Sequence, residues 1–214
     1  MTRVVLFDLD GTLIDSSAGI FASMAHAFTR MGAAIPPPER LRSYIGPPLR
    51  QSFPEVVGAD LDRVEQTVAY YRERYDTLGW AEHVVYPGIP EVIAMLAAAG
   101  RQMAIVTTKI QTQAQKIIDH LPFGRHFHRV YGPDGDGRHS EKAEMIANAL
   151  ADFAADAAQA TMIGDRHFDI EGALANGVTA IGAGWGFGSE DELREAGAHA
   201  IARTPAELQA LLLA

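Results

Sequence analysis

Four short, unbroken apolar runs punctuate the chain: Val4–Phe7, Met103–Val106, Thr161–Ile163 and Val178–Ile181. Runs of four or so, rich in β-branched residues and without polar alternation, belong to strands buried on both faces of a parallel sheet. Phe127–Tyr131 is a weaker fifth run, because His128 and Arg129 interrupt it. Between the runs the period changes to that of helices. Pro90–Ala99 has proline near its start and Gly100 just beyond its end; Asp169–Asn176 stops at Gly177. Proline at the first turn and glycine just past the last are the ordinary boundaries of a helix. Thr204-Pro205-Ala206-Glu207 predicts a final helix opened by a capping box with proline at N1. Strand, helix and strand in series predict parallel βαβ units, hence an α/β fold.

Residues 16 to about 84 break this rhythm. Ile20, Met24, Phe28 and Met31 share one helical face, and the turn Pro36-Pro37-Pro38 follows. A second short helix ends at Ile45-Gly46-Pro47-Pro48, and Leu61–Leu78 reads as a third, with Val64, Val68, Tyr71 and Tyr75 in register. The expectation is an all-helical second domain, 16–83, inserted after the first strand of a core made of 1–15 and 84–214. Its boundaries fall at 15–17 and 83–87, which are also the hinge candidates.

Composition removes several classes of function. The 214 residues are 48% hydrophobic and 21% charged, ordinary for a folded chain and unlike a disordered one. Eighteen Lys and Arg against 27 Asp and Glu leave a formal charge of −9. That balance argues against nucleic acid polymers and anionic membranes, both of which need clustered basic residues. The absence of cysteine excludes thiolate catalysis, disulfides and cysteine-bound zinc. No apolar run approaches the roughly 18 residues of a membrane span, and VVLF ends at Asp8, too short for a secretory signal. The expectation is a soluble, cytoplasmic protein.

The first strand runs into Asp8-Leu9-Asp10-Gly11-Thr12. Two carboxylates at the end of a buried strand repel each other unless a cation sits between them, and Mg²⁺ prefers such hard oxygen ligands. Gly11 lets the backbone turn and approach a ligand, while the Thr12 hydroxyl can fix the turn. At average residue frequencies D-x-D-G-T arises by chance in such a length on the order of one time in 10³. Comparable sites follow: Thr107 and Thr108 after the second run, Lys142 at a helix start, and Gly164-Asp165-Arg166-His167-Phe168-Asp169 after the third. In an open α/β sheet ligands bind beyond the carboxyl ends of the strands, so Asp8, Thr107 and Asp165 are expected to converge. Carboxylates round a metal, with a hydroxyl and an ammonium, make a phosphate site.

Other signals are weaker. Gly182-Ala183-Gly184-Trp185-Gly186 is not the dinucleotide fingerprint. Asp134-Gly135-Asp136-Gly137 lacks the later ligands of a calcium loop, and His126 with His128 lack a third zinc ligand. His167 is expected beside Asp165 or in solvent. Arg42, Tyr44 and Arg50 flank the Gly-Pro-Pro turn, where contact with substrate and ordinary surface are both open.

These motifs, from VVLFDLDGTL through VTTK and EKAE to IGDRHFDIEGA, resemble the haloacid dehalogenase-like hydrolase superfamily, phosphatase branch. The resemblance covers nearly the whole chain. It is closest to phosphoglycolate phosphatase and 5′-nucleotidase-like members, which also carry segments like Ile45-Gly46-Pro47-Pro48-Leu49 and Trp185-Gly186-Phe187-Gly188-Ser189. It implies a Rossmann-like three-layer core with a parallel sheet and a small helical cap. It implies Asp8 as nucleophile through an aspartyl-phosphate, and Asp10 as the acid and then base, with its backbone carbonyl on Mg²⁺. Asp165 would complete the metal site with Asp169 nearby, so the metal candidates are Asp8, Asp10, Asp165 and Asp169. Thr107 and Lys142 would hold the phosphoryl oxygens. Gly11, Thr12 and Thr108, with Tyr44, Gly46 and Arg50 of the insert, are the substrate-binding candidates.

Two positions depart from the usual pattern: Thr108 where many relatives have Asn, and Ala143 where many have Pro. Lys109 is a second lysine close to the site, and whether it shares the role of Lys142 stays open. The expected activity is Mg²⁺-dependent hydrolysis of a small phosphorylated metabolite, with nucleoside monophosphates and phosphoglycolate both candidates. The rivals are a haloalkanoic acid dehalogenase, which does not need Asp10, a phosphomutase, and a phosphoacceptor or binding module without turnover.

Overall fold

A computed structural model of the chain describes residues 3–135 and 141–213. Asp136 and Gly137 of the acidic turn noted above lie outside them. The chain divides into two compact units, Met1–Ile14 with Val85–Ala214, and Asp15–Val84.

The first unit is built on a six-stranded sheet. Its strands are β1 (Val4–Phe7), β4 (Gln102–Val106), β5 (Phe127–Tyr131), β6 (Ala160–Gly164), β7 (Thr179–Ala183) and β8 (Ala200–Ala202). Two-residue strands, β2 (Ile14–Asp15) and β3 (Val84–Val85), lie where the chain passes between the units. The spatial order is β5-β4-β1-β6-β7-β8, and every pairing in the large sheet is parallel. The chain thus builds outward from β1 on one side, then returns to build outward on the other. The reversal lies at β1, the position where open α/β sheets bind ligands.

All four residues of β1 are buried, as a central strand covered on both faces requires. Val4 and Leu6 join a core with Met145 and Ile146 of the helix Lys142–Asp152 and Ile170 and Ala173 of the helix His167–Ala175. The alternate residue Phe7 meets the Phe127 ring edge-on, with centroids 6.0 Å apart. Gly100 and Gly177 take φ of +67° and +68°, the left-handed turn that ends a helix. Thr204 Oγ1 accepts from the Glu207 N–H at 3.2 Å, but the Glu207 carboxylate reaches back to the Arg203 N–H at 2.8 Å. The box therefore closes one residue earlier than the sequence predicts.

The second unit contains the helices Ser17–Arg30, Pro38–Ser43, Leu49–Ser52, Pro54–Val57 and Leu61–Tyr75. Ile20, Met24 and Phe28 are buried, as are Val64, Val68, Tyr71 and Tyr75. The Phe28, Phe53, Tyr71 and Tyr75 rings form a chain with centroids 5.3, 6.0 and 5.3 Å apart. The last helix ends at Tyr75, not at Leu78, which is 58% exposed. The chain leaves the helix there to bring Gly79 against Gly19, where a Cβ on Gly19 would lie 2.1 Å from the Gly79 carbonyl oxygen. Among the described residues, no helix is long and apolar enough to cross a membrane.

Candidate active site

Each strand near the reversal hands over to a polar residue. Asp8 follows β1 and donates its N–H to Ile163 O at 2.9 Å, so its backbone continues the ladder for one residue. Thr107 follows β4 and does the same toward Tyr131 O at 2.9 Å. Asp165 follows β6. Asp169 lies in the first turn of the helix His167–Ala175, and its Oδ2 accepts from the Arg166 N–H at 3.1 Å. A carboxylate there satisfies a donor that the helix leaves open.

Lys142 opens the helix Lys142–Asp152 and ties these groups together. Its Nζ donates to Asp8 Oδ1 at 2.8 Å and to Val106 O at 2.9 Å, and pairs with Asp169 Oδ1 at 2.7 Å. Asp165 is held by the Thr12 hydroxyl on Oδ1 at 3.2 Å and by the Phe187 N–H on Oδ2 at 2.8 Å. Asp8, Thr12, Thr107, Lys142, Asp165 and Asp169 are all buried. Carboxylate oxygens of Asp8, Asp165 and Asp169 lie within 4.8 Å of one another, making this the metal-capable cluster among the described residues.

The Asp10 side chain is not in that cluster. Its Oδ2 meets Lys109 Nζ at 2.9 Å, while Oδ1 is buried without a hydrogen-bond partner among the described residues. Thr108 is half-buried beside Thr107, whose Oγ1 accepts from the Lys109 N–H at 3.2 Å. Tyr44, Gly46 and Arg50 belong to the second unit. Tyr44 is buried there with the Arg40 guanidinium 5.5 Å from its ring centre. Gly46 turns at φ +108°, and Arg50 is bidentate to Glu65 at 2.5 and 2.8 Å. His167 pairs with Glu171 at 3.2 Å and lies against the Phe168 ring, tilted by 39° with centroids 3.7 Å apart. His128 turns its Nδ1 to the Met103 backbone, 3.3 Å from the carbonyl oxygen.

The electrostatics follow from burial. Burial pushes the Asp8 carboxyl up to about 7; Lys142 opposes the shift, and Asp169 and Asp10 add to it. Asp165 is raised well above the usual carboxylate range by burial, then by Asp8 and Asp169. Burial disfavours the Lys142 ammonium, but Asp169 and Asp8 outweigh it and hold the proton more firmly than usual. If all four carboxyls (Asp8, Asp10, Asp165, Asp169) were ionised they would outnumber the Lys109 and Lys142 ammoniums by two, and without a cation Asp8 and Asp165 hold their protons instead. Hard oxygen donors with that surplus fit a divalent cation.

Glycines make room for the acids. A Cβ on Gly11, whose φ is +85°, would lie 2.2 Å from Asp165 Oδ2, and one on Gly186 would lie 2.2 Å from Asp165 Cβ. One on Gly164 would lie 2.1 Å from Asp169 Cγ. Gly186→Ala is therefore expected to displace Asp165, destabilise the protein by about 2 kcal/mol and weaken divalent-cation binding about 10–100-fold. Chemical denaturation and a cation titration would measure both. Unchanged values would mean that the loop gives way instead.

The segment after β7 carries contacts that its sequence does not display. There the Phe187 N–H orients Asp165, and Trp185 Nε1 donates to Thr12 O at 3.1 Å. The Lys109–Asp10 pair is likewise not visible in the sequence. A backbone donor has no side-chain signature, and the position of Lys109 close to the site does not say which carboxylate it meets until the fold brings it to Asp10.

A model described as haloacid dehalogenase-like hydrolase matches residues 5–183. The chain belongs to the haloacid dehalogenase-like hydrolase family. It is a phosphatase of that family. It is 43% identical over 207 residues to a 5′-nucleotidase of Pseudomonas aeruginosa, covering 97% of this chain and 92% of that one. It is 34% identical to the tyrosine-protein kinase PtkA of Mycobacterium tuberculosis, covering 88% of this chain but only 64% of that longer one. A crystal structure of a predicted phosphatase from Clostridium acetobutylicum superposes with a TM-score of 0.93 at 34% identity, covering 100% of this chain and 99% of that one.

Proposed function

We propose that this hydrolase is a Mg²⁺-dependent phosphomonoesterase that works through an aspartyl-phosphate on Asp8 and acts on a small phosphorylated metabolite. The observation that carries this reading is the Asp8 carboxylate at the end of β1, buried, paired with Lys142 at 2.8 Å and clustered with Asp165 and Asp169. An Asp8 oxygen attacks phosphorus as the bond to the leaving oxygen breaks. Asp10 gives that oxygen its proton, then takes one from the water that attacks the phospho-aspartate and frees Asp8. Thr107 and Lys142 face the phosphoryl oxygens and oppose the charge that gathers on them. Asp8 and Asp165, with the Asp10 carbonyl and Asp169, would hold the Mg²⁺ ion, whose charge lowers the repulsion between carboxylate and phosphoryl group.

Nucleoside 5′-monophosphates are the favoured substrate class, on the strength of the 43% identical relative named a 5′-nucleotidase; phosphoglycolate is the next. Tyr44, Gly46 and Arg50 are proposed to contribute to substrate choice. The likeness to a protein named a kinase supports a second reading, transfer of the phosphoryl group to an organic acceptor. Phosphate release from a panel of phosphorylated metabolites, with and without chelator, tests the first. A phosphorylated organic product without free phosphate would favour the second. A stable phospho-protein without turnover would overturn both.

The raised carboxyl groups also fix a pH dependence. The unfolded chain releases the Asp8 proton near the ordinary value, while the folded chain keeps it up to about 7. The folded state therefore binds more protons between about pH 4 and 7, and chelated protein must lose stability as pH rises through that window. Asp165 acts in the same direction. The rise in melting temperature caused by Mg²⁺ is expected to be larger at pH 8 than at pH 5. Thermal denaturation with Mg²⁺ and with EDTA checks this, and equal rises at both pH values would contradict it.

A further inference from the structure

Asp10 has two carboxylate oxygens in unlike circumstances. Oδ2 is 2.9 Å from Lys109 Nζ, in a pair whose side chains are only 12% and 7% exposed. Oδ1 is buried and has no hydrogen-bond partner among the described residues. A buried carboxylate oxygen without a donor costs free energy, so its persistence points to a partner that arrives with the reaction. A carboxylate also rotates about its last torsion through a broad, roughly two-fold profile. Something must hold the plane of the group if one of its oxygens is to face substrate in each turnover.

Lys109 is placed to do that. It lies in the turn after β4, and its N–H donates to Thr107 Oγ1 at 3.2 Å. One short segment thus carries a proposed phosphoryl contact, Thr107, and the cation on the acid–base residue. Lys142, by contrast, meets Asp8, Asp169 and Val106 O, so the two lysines serve different carboxylates.

We infer that Lys109 is a positioning residue for Asp10: it occupies Oδ2 and leaves Oδ1 to face the oxygen of the departing alcohol. This rests on the reading of Asp10 as the acid in the proposed reaction. The role predicts a dependence on leaving group. An alkyl phosphate needs a proton on its departing oxygen, whereas p-nitrophenolate leaves without one.

The experiment compares kcat/KM for a nucleoside 5′-monophosphate and for p-nitrophenyl phosphate, since kcat/KM covers steps only through departure of the first product. Lys109→Met is expected to lower kcat/KM for the nucleotide about 10–100-fold, and that for p-nitrophenyl phosphate less than about threefold. Lys109→Arg, which keeps the charge, is expected to bring the ratio back to within about threefold of the parent. Equal losses on both substrates would mean a merely structural role, and no loss on either would mean none; each overturns the inference. Lys109→Gln gives the same reading if the Met variant does not fold. Asp8→Asn separates the levels. If it destroys activity while Lys109→Met affects both substrates alike, only this inference fails. If it leaves activity intact, or the parent releases phosphate from no metabolite of the panel, the proposed function fails with it; if the parent prefers another alkyl phosphate of the panel, that substrate takes the nucleotide's place in the comparison.

Discussion

Asp8→Asn is expected to lower phosphate release by about 10⁴-fold or more while making the metal-free protein more stable at pH 8. Removing a covalent nucleophile leaves only binding and electrostatic assistance, and losses of that order or greater are usual. The stability gain is the more discriminating half. Burial, with help from Asp169 and Asp10, pushes the Asp8 carboxyl up to about 7 even though Lys142 pulls the other way. At pH 8 the folded chain must therefore ionise a group its surroundings would rather keep neutral. Asparagine has the same shape, can still accept from Lys142, and carries no charge. Each unit of pKa shift is about 1.4 kcal/mol, and the shift to about 7 already includes the attraction of Lys142, so a gain on the order of 2 kcal/mol is expected once the cost of burying the polar amide is set against it. Urea denaturation in EDTA at pH 8 measures it. Retained activity would remove Asp8 from the nucleophile role. A clear loss of stability would mean that the site's charge is balanced without a cation.

The two halves of that prediction were unequally visible in the sequence. The D-x-D-G-T turn after an apolar run marked Asp8 and Asp10, because a strand end, two acids and a glycine are all local features. The parallel sheet was visible for the same reason: its central strands are buried on both faces and read as unbroken apolar runs. The edge strand β8 (Ala200–Ala202) was not read, being three residues long and only partly buried. The four-residue helices Leu49–Ser52 and Pro54–Val57 were missed because a single turn is too short to display a period. Within the site, what stayed hidden was pairing. That Lys142 spans Asp8 and Asp169, while Lys109 takes Asp10, depends on separations of tens of residues to over a hundred that no spacing encodes. The packing of Gly11, Gly164 and Gly186 against Asp165 and Asp169 is hidden likewise, since a glycine that makes room for a carboxylate looks like any turn glycine.

Lys142→Met is the counterpart to Asp8→Asn, with the opposite sign for stability. Activity is expected to fall about 10³-fold, the loss of a donor that opposes charge developing in the transition state. Stability at pH 8 in EDTA is expected to fall by about 3–5 kcal/mol, because removing one partner of a buried ion pair strands the other. Here Lys142 balances both Asp8 and Asp169, at 2.8 and 2.7 Å. At pH 5 the loss should shrink. Without the ammonium the Asp8 carboxyl titrates above its already raised position, so it is protonated and neutral in the folded chain, and less charge is stranded. Lys142→Arg is not expected to rescue fully. The lysine stem packs on Gly172, where an added Cβ would lie 3.0 Å from Lys142 Cγ, and the planar guanidinium does not reproduce one nitrogen shared among three acceptors. The double variant Asp8→Asn with Lys142→Met closes the cycle. If the two groups balance each other, Asp8→Asn should stabilise the Lys142→Met protein at pH 8 by more than it stabilises the parent, with a coupling of about 1–3 kcal/mol. Simple additivity would place the balancing of Lys142 on Asp169 instead.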